Sequence, residues 1–320
     1  MSFPLFHRPG TVVFLDDDPD YLEMLALVLP RQWHVRLFAR PTDCIAKLRE
    51  EPPFWEADAW NQQQLVDHWR AGRPLVPQIL DYWARSTERY ALSRACVVDF
   101  SMPGMDGLQV LSELQDWSGA RVLLTGQADE QVAVDAFNRG LIEQFIAKQM
   151  PEMSRHLVQV VQRLMTTPHP RHAQTWRATL RPEHHALLRD AAVAQELGAL
   201  ASRRWVEHVV IGEPFGVLGL DAAGFASWLQ LETPAALPAL AEMAESARLP
   251  ADAVEDIRAG RKLANLELAS GLQRAPELGD AFPIGGPQLL GALFPIDGTG
   301  GGDAGYTRWL ARQPRRQVDH

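Results

Sequence analysis

The first half of the chain carries five side chains of chemical interest at the ends of short apolar segments. Asp16 and Asp17 follow one segment, and Asp99, Thr125 and Lys148 follow three others. The segments are rich in valine, leucine, isoleucine and phenylalanine, as in the buried strands of a parallel sheet. Because open α/β sheets form their sites outside the carboxyl ends of strands, we expect these five side chains to converge on one pocket.

The residue types in this predicted pocket suit the transfer of a phosphoryl group. Carboxylates from two strands form the hard oxygen site that Mg²⁺ prefers. An aspartate beside such an ion, here Asp99, can act as a nucleophile toward phosphorus. The Lys148 ammonium and the metal would neutralise charge on the transferring group, and the Thr125 hydroxyl could donate a hydrogen bond to its oxygens.

Strands and helices alternate around these residues, which predicts a doubly wound α/β fold with a five-stranded parallel sheet. The predicted strands cover residues 11–15, 34–38, 96–99, 121–125 and 144–147. The predicted helices cover residues 19–29, 41–50, 108–117, 129–138 and about 151–165. The right-handed crossovers of such a fold place helices on both faces of the sheet.

Residues 10–165 closely resemble the receiver domain of bacterial two-component response regulators, which has the flavodoxin-like form of this fold. The resemblance implies that Asp99 accepts a phosphoryl group from a histidine kinase or a phosphotransfer protein. It also implies that Asp16, Asp17 and Asp99 hold Mg²⁺ together with the backbone carbonyl of Ser101.

The same resemblance assigns roles to three further residues. Thr125 would be the switch hydroxyl, Lys148 the phosphate-binding lysine, and Phe145 the aromatic switch residue that moves with Thr125. The family places its metal pair at the first two acids after the strand. Asp18 and Asp106 are therefore expected to cap helices and turns rather than to bind the metal.

Two stretches depart from the family pattern. A proline normally follows the phosphate-binding lysine in a cis bond, whereas Gln149, Met150 and then Pro151 follow Lys148 here. A tryptophan-rich insertion, predicted as two helices within about residues 51–93, precedes the Asp99 strand. This insertion could be a subdomain that packs its own tryptophans, or a surface for a partner or a second copy of the chain.

The composition indicates a globular chain long enough for two domains. It has 320 residues, 46% apolar and 22% charged, with a formal net charge of −9, which argues against broad binding to phosphate backbones. Residues 1–150 carry 14 Lys and Arg against 21 Asp and Glu, whereas residues 151–320 carry 17 against 19. The second half could therefore still carry a local basic patch.

Neither the two cysteines nor the termini add a further class of site. Cys44 and Cys96 lack the spacing of a metal site or a disulfide framework. No apolar run is long enough for a membrane span, and the N-terminal residues lack the apolar core of a signal peptide. These features favour a reduced, cytoplasmic protein without a membrane partner.

The predicted domains are a receiver over residues 1–166, with its insertion, and an α+β output domain of unrecognised type over residues 171–320. Strands are predicted in the output domain near residues 206–211, 216–221, 226–232, 282–284 and 289–296. The glycine-rich stretch 298–305 is predicted to be a loop. Beyond phosphoryl transfer to Asp99, the sequence provides no recognisable catalytic signature.

Three hypotheses for the output remain open on sequence alone. The leading one is action through protein contacts or self-association of the output domain. The second is a transcription regulator that binds DNA as a dimer, supported by scattered arginine pairs in the nearly neutral second half. The third is a hydrolase-like site at Asp221 and Glu232, which end two strands of a predicted hairpin; Pro234 occupies the position of the lysine that nuclease-like folds often add.

Overall fold

The computed structural model describes residues 2–126, 130–167, 169–296 and 305–319. The chain divides into two compact units, each built from three stretches. The parallel-sheet unit comprises Pro9–Trp60, Glu88–Thr167 and Leu310–His320. The antiparallel-sheet unit comprises Met1–Arg8, Asn61–Thr87 and Pro168–Trp309.

The described residues form the following strands and α-helices. The strands are β1 Phe6–His7, β2 Thr11–Leu15, β3 His34–Phe38, β4 Ser93–Asp99, β5 Ala120–Thr125, β6 Gln144–Ala147, β7 Glu207–Gly212, β8 Phe215–Leu220, β9 Ala226–Glu232, β10 Lys262–Ala264, β11 Leu278–Asp280, β12 Phe282–Pro283, β13 Leu290–Ile296 and β14 Val318–Asp319. The helices are α1 Pro19–Val28, α2 Pro41–Arg49, α3 Pro52–Arg70, α4 Leu75–Arg85, α5 Gly107–Glu113, α6 Glu130–Asn138, α7 Met153–Thr166, α8 Pro170–Arg177, α9 Pro182–Arg189, α10 Ala191–Arg204, α11 Leu237–Ser246, α12 Ala251–Arg258, α13 Leu266–Gly271 and α14 Tyr306–Ala311.

The parallel-sheet unit confirms the doubly wound α/β prediction. Its strand order is β14-β3-β2-β4-β5-β6, and each neighbouring pair is parallel. The central strands are buried on both faces, which explains their unbroken runs of apolar residues. The sheet has six strands rather than the predicted five, because β14 near the C-terminus pairs with the edge strand β3.

One arginine fastens this C-terminal stretch. The guanidinium of Arg316 donates to the backbone carbonyls of Ala26, Leu29, Pro30 and Trp33, at and just beyond the C-terminal end of α1. A cation is favourable there because the last carbonyls of a helix lack intrahelical partners. This contact could not be predicted from the sequence, because its partners lie almost the whole chain away from Arg316.

Two acids that were expected to cap helices do so. The Asp18 carboxylate accepts hydrogen bonds from the backbone N–H groups of Asp20 and Tyr21 at the start of α1. Asp106 and Gln109 form a reciprocal capping box at the start of α5. The caps fix where each helix begins relative to the strand end before it.

The antiparallel-sheet unit has the strand order β1-β7-β8-β9-β13-β12 in its larger sheet. The predicted hairpin strands and the two later strands all appear within it, which confirms the α+β prediction for this region. β1 contributes an edge strand from the start of the chain, pairing Phe6 with Val209. A second, two-stranded sheet pairs β10 with β11.

The insertion is a helical pair as predicted, but it does not pack as a subdomain of its own. Residues 61–87 belong to the antiparallel-sheet unit, where Val66, Ile79 and Trp83 join the main hydrophobic core. Trp55 is also buried, whereas Trp60 is 64% exposed. Shared burial with a β-sheet explains why an amphipathic pair of this length is stable.

The predicted domain boundaries, 1–166 and 171–320, need three corrections. Met1–Arg8 and Asn61–Thr87 group with the antiparallel-sheet unit, and Leu310–His320 groups with the parallel-sheet unit. The physical reason is strand pairing and core packing between segments that are distant in sequence. Composition and linker signals do not record such pairing.

Among the described helices, none combines the length and apolar character needed to cross a membrane. The predicted glycine-rich loop at 298–305 lies, apart from Gly305, outside the described residues.

Candidate functional site

The parallel sheet delivers four of the predicted residues to one edge. Asp16 directly follows β2, Asp99 and Thr125 are the last residues of β4 and β5, and Lys148 directly follows β6. Backbone hydrogen bonds hold two of these ends in place: Asp16 N–H donates to Phe38 O, and Lys148 N–H donates to Thr125 O. The predicted convergence at the carboxyl ends of the strands is therefore present.

An ammonium joins the two buried carboxylates of this edge. Lys148 Nζ lies 2.8 Å from Asp16 Oδ2 and 2.8 Å from Asp99 Oδ1. Asp16 is only 2% exposed and Asp99 5%. A lysine between two buried acids supplies the charge partner without which such burial would be costly.

The burial of this pair also shifts pKa values. Burial raises the pKa of Asp16, although hydrogen bonds from Lys148 and from the Asp18 N–H oppose that shift. Burial alone would lower the pKa of Lys148, but its hydrogen bonds to Asp16 and Asp99 outweigh burial and raise it. Lys148 is therefore a permanent cation at neutral pH.

Three carboxylates at this edge can share one ion. Asp16, Asp17 and Asp99 each place a carboxylate oxygen within 4.8 Å of the others. Asp17 is exposed, whereas the other two are buried, so the cluster is open to solvent on one side. This all-oxygen donor set fits Mg²⁺, which keeps several of its waters when it binds to proteins.

The loop after Asp99 is built around glycines. Gly104 has a left-handed backbone with φ of +80°, and a Cβ at Gly107 would lie 2.3 Å from the carbonyl oxygen of Asp99. The Gly107 N–H donates to Phe100 O, which closes the loop onto the strand end. Ser101 lies in this loop, and its carbonyl remains the predicted fourth metal ligand.

Thr125 presents a buried hydroxyl at the end of β5, beside strand β4, which ends at Asp99. Its Oγ1 is fully buried and has no hydrogen-bond partner within the described part of the chain. A buried polar atom in this condition costs free energy unless a ligand or water satisfies it. Phe145 lies on the adjacent strand opposite Leu123 and is half-buried against the core, so its switch role remains a prediction.

The hydrolase-like pair is not assembled. Leu220 pairs with Ala226 and Gly216 pairs with Gln230, so Asp221 is at the turn of the β8–β9 hairpin and Glu232 is at the opposite end. Six strand residues separate those two ends, roughly 20 Å. Asp221 instead accepts hydrogen bonds from the turn amides of Ala223 and Phe225.

A separate cavity of about 1290 Å³ lies within the antiparallel-sheet unit. Its charged lining consists of Arg70, Arg73, Arg274, Glu213, Glu242 and Glu267. Equal numbers of both signs select no class of ligand by charge. The chemistry predicted from the sequence is instead at the strand ends of the parallel-sheet unit.

The comparisons with known proteins agree with this geometry. Residues 80–162 match the response regulator receiver domain. The match includes Asp99, Thr125 and Lys148 and confirms the predicted resemblance, whereas Asp16 and Asp17 lie before it and join the site through the fold. No curated protein sequence matches the chain.

Among solved structures, the response regulator LqsR of Legionella pneumophila is similar over 98% of both chains, with a TM-score of 0.68 and 22% identity. The two proteins therefore share their fold. An adenylate cyclase structure from Rhodopirellula baltica is 18% identical over 49% of this chain and 87% of its own, with a TM-score of 0.32. A receiver domain protein from Clostridium thermocellum is 14% identical over 49% and 94%, with a TM-score of 0.31.

Proposed function

We propose that the chain is a response regulator that accepts a phosphoryl group on Asp99 from a histidine kinase or a phosphotransfer protein. The observation that carries the proposal is the Lys148 ammonium, which lies 2.8 Å from both Asp99 and Asp16. The receiver-domain match over residues 80–162 supports it independently. A cytoplasmic location is part of the same proposal.

The proposed reaction needs little covalent chemistry from the protein. A carboxylate oxygen of Asp99 attacks phosphorus, and the bond between phosphorus and the donor's imidazole nitrogen breaks as the new P–O bond forms. Mg²⁺, held by Asp16, Asp17, Asp99 and the carbonyl of Ser101, would supply positive charge to the phosphoryl oxygens. Lys148 supplies a second, permanent positive charge from the end of β6, at the same edge of the sheet.

Thr125 would bind the product of this reaction. Its buried hydroxyl can donate to a phosphoryl oxygen on Asp99, and that hydrogen bond would satisfy an atom that now has no described partner. The gain exists only in the phosphorylated state, so it would favour whichever conformation brings Thr125 closest to Asp99. Phe145 on the neighbouring strand is the proposed aromatic partner of that movement.

The output proposed for the phosphorylated state is protein contact or self-association through the antiparallel-sheet unit. The hydrolase-like alternative has lost its geometric basis, because Asp221 and Glu232 are at opposite ends of their hairpin. Self-association is testable directly by comparing the sedimentation of the protein before and after phosphorylation. A change confined to the phosphorylated form would support this output.

Incubation with Mg²⁺ and acetyl phosphate, followed by intact mass measurement, tests the proposed acceptor. The wild-type protein should gain one phosphoryl group, and Asp99→Asn should gain none. Asp106→Asn is the matched control, because asparagine also caps helices and should leave incorporation unchanged. Equal incorporation in wild type and Asp99→Asn, or none in wild type, would refute the proposal.

A further inference from the structure

We propose that Tyr21 is a positioning residue for Lys148, holding its ammonium where a phosphoryl group on Asp99 would arrive. This role depends on the function proposed above. Lys148 Nζ lies 4.9 Å from the centre of the Tyr21 ring. At that distance an ammonium is attracted to the electron-rich face of an aromatic ring.

The ring contact adds to the contacts that Lys148 already makes. Its ammonium has three N–H donors, and one carboxylate oxygen each of Asp16 and Asp99 lies 2.8 Å from Nζ. The Lys148 side chain is still 29% exposed, so it is not fixed by burial alone. A lysine has a flexible four-carbon stem, so a contact with an aromatic face in addition to two ion pairs further restricts where its ammonium can lie.

Tyr21 also contacts the far end of the loop that carries Lys148. The Tyr21 hydroxyl donates to Met153 Sδ at 3.9 Å, and Met153 is the first residue of α7. The loop between them contains Pro151 and Glu152, which has a left-handed backbone with φ of 55°. One side chain thus contacts both ends of the Lys148–Met153 loop.

Tyr21 is itself well placed for this task. Its backbone N–H donates to the capping carboxylate of Asp18, so it lies in the first turn of α1. That turn starts just after Asp16 and Asp17. The ring therefore approaches Lys148 from the same strand end that supplies the metal-binding acids.

The benefit of the ring contact is greatest during the reaction. The two carboxylate partners of Lys148 change roles during phosphorylation, since Asp16 would serve as a metal ligand and Asp99 would carry the phosphoryl group. The Tyr21 ring depends on neither carboxylate. It can keep the ammonium near Asp99 while the ion pairs rearrange.

Lysine-specific NMR tests the contact without any phosphorylation. The chain has three lysines, Lys47, Lys148 and Lys262, so ¹³C-lysine labelling of the full chain gives three sets of side-chain signals. The ring current should shift the Lys148 Hε signals upfield in wild type and Tyr21→Phe, but not in Tyr21→Leu. Unchanged Lys47 and Lys262 signals would show that the fold is intact. A Lys148 signal that Tyr21→Leu leaves in place would overturn the proposal.

A double-mutant cycle on the phosphorylation rate tests whether Tyr21 acts through Lys148. With acetyl phosphate and saturating Mg²⁺, Tyr21→Leu should slow phosphorylation about fivefold, while Tyr21→Phe should stay within about twofold of wild type. In a Lys148→Met background, Tyr21→Leu should cause no further loss. An equal loss in both backgrounds would assign Tyr21 a merely structural role.

These outcomes separate the two proposals. A wild-type protein that takes no phosphate on Asp99 would refute the proposed function, while the NMR shift would still report on the Tyr21–Lys148 contact. A normal wild-type rate with no effect of Tyr21→Leu would refute the positioning role alone.

Discussion

The parallel-sheet unit and the antiparallel-sheet unit place similar carboxylates very differently. Asp16 and Asp99 lie at the carboxyl ends of strands that run in the same direction, so they share one edge of the sheet. Asp221 and Glu232 lie at the carboxyl ends of two antiparallel strands, so they are at opposite ends of the hairpin. An acid at a strand end therefore indicates a shared site only when the strands are parallel.

The two units also differ in the surroundings they give to a glutamate, which is buried at position 51 and half-buried at position 232. In the parallel-sheet unit, Glu51 accepts hydrogen bonds from Ser93 N–H, Ser93 Oγ and Trp117 Nε1 at 2.7–3.1 Å. In the antiparallel-sheet unit, Glu232 accepts a hydrogen bond from Gln230, and burial raises its pKa to about 7. The first arrangement holds the two ends of the insertion together, whereas the second leaves a carboxyl that ionises reluctantly.

Charge removal at the two sets of strand-end acids should give the largest contrast. Asp16→Asn keeps the side-chain shape but removes a charge from the metal-binding cluster, and we expect phosphorylation by acetyl phosphate to fall by about 100-fold or more. The double variant Asp221→Asn/Glu232→Gln should be phosphorylated at the wild-type rate. The prediction would be wrong if acetyl phosphate phosphorylated the double variant slowly and Asp16→Asn at the wild-type rate.

Loss of the Glu51 carboxylate should cost stability in the parallel-sheet unit. Glu51→Ala leaves three buried donors without their acceptor, for an expected loss of about 3–5 kcal/mol, whereas Glu51→Gln keeps one acceptor oxygen and should lose less. The only two cysteines, Cys44 and Cys96, are both buried in this unit, so thiol labelling in urea reports its opening. Equal labelling of Glu51→Ala and wild type would contradict the assigned role.

A smaller and pH-dependent effect is expected at Glu232. Because its pKa is raised from 4.5 to about 7 by burial, the unfolded chain ionises first as the pH rises. The contribution of Glu232 to the free energy of unfolding is therefore complete below pH 4.5. It decreases by up to about 3 kcal/mol between pH 4.5 and 7, and it stays constant above pH 7. Urea unfolding of wild type and Glu232→Gln across this range should show that the free energy of unfolding of wild type falls relative to that of the variant. A constant difference between the two proteins would disprove the prediction.

The strand-end site was largely predictable because its signals are local. Each of its strands is an apolar run that ends in a reactive side chain, and the caps at Asp18 and Asp106 lie within a few residues of the helices they start. For the two hairpin acids, Asp221 and Glu232, the local signals were not enough to predict a site. The tight turn between β8 and β9 makes these two strands antiparallel. Their pairing register then places Asp221 at the turn and Glu232 at the other end of the hairpin.

Local sequence patterns were enough to predict five of the six strands of the parallel sheet, the helices between them and the reactive residues at their carboxyl ends, because hydrophobic periodicity and capping act over a few residues. Only the tertiary structure decided which sheet the distant segments join, as with β1, the insertion helices and β14. It also brings Tyr21 of α1 against Lys148. That contact joins residues far apart in the chain, and no local preference encodes it.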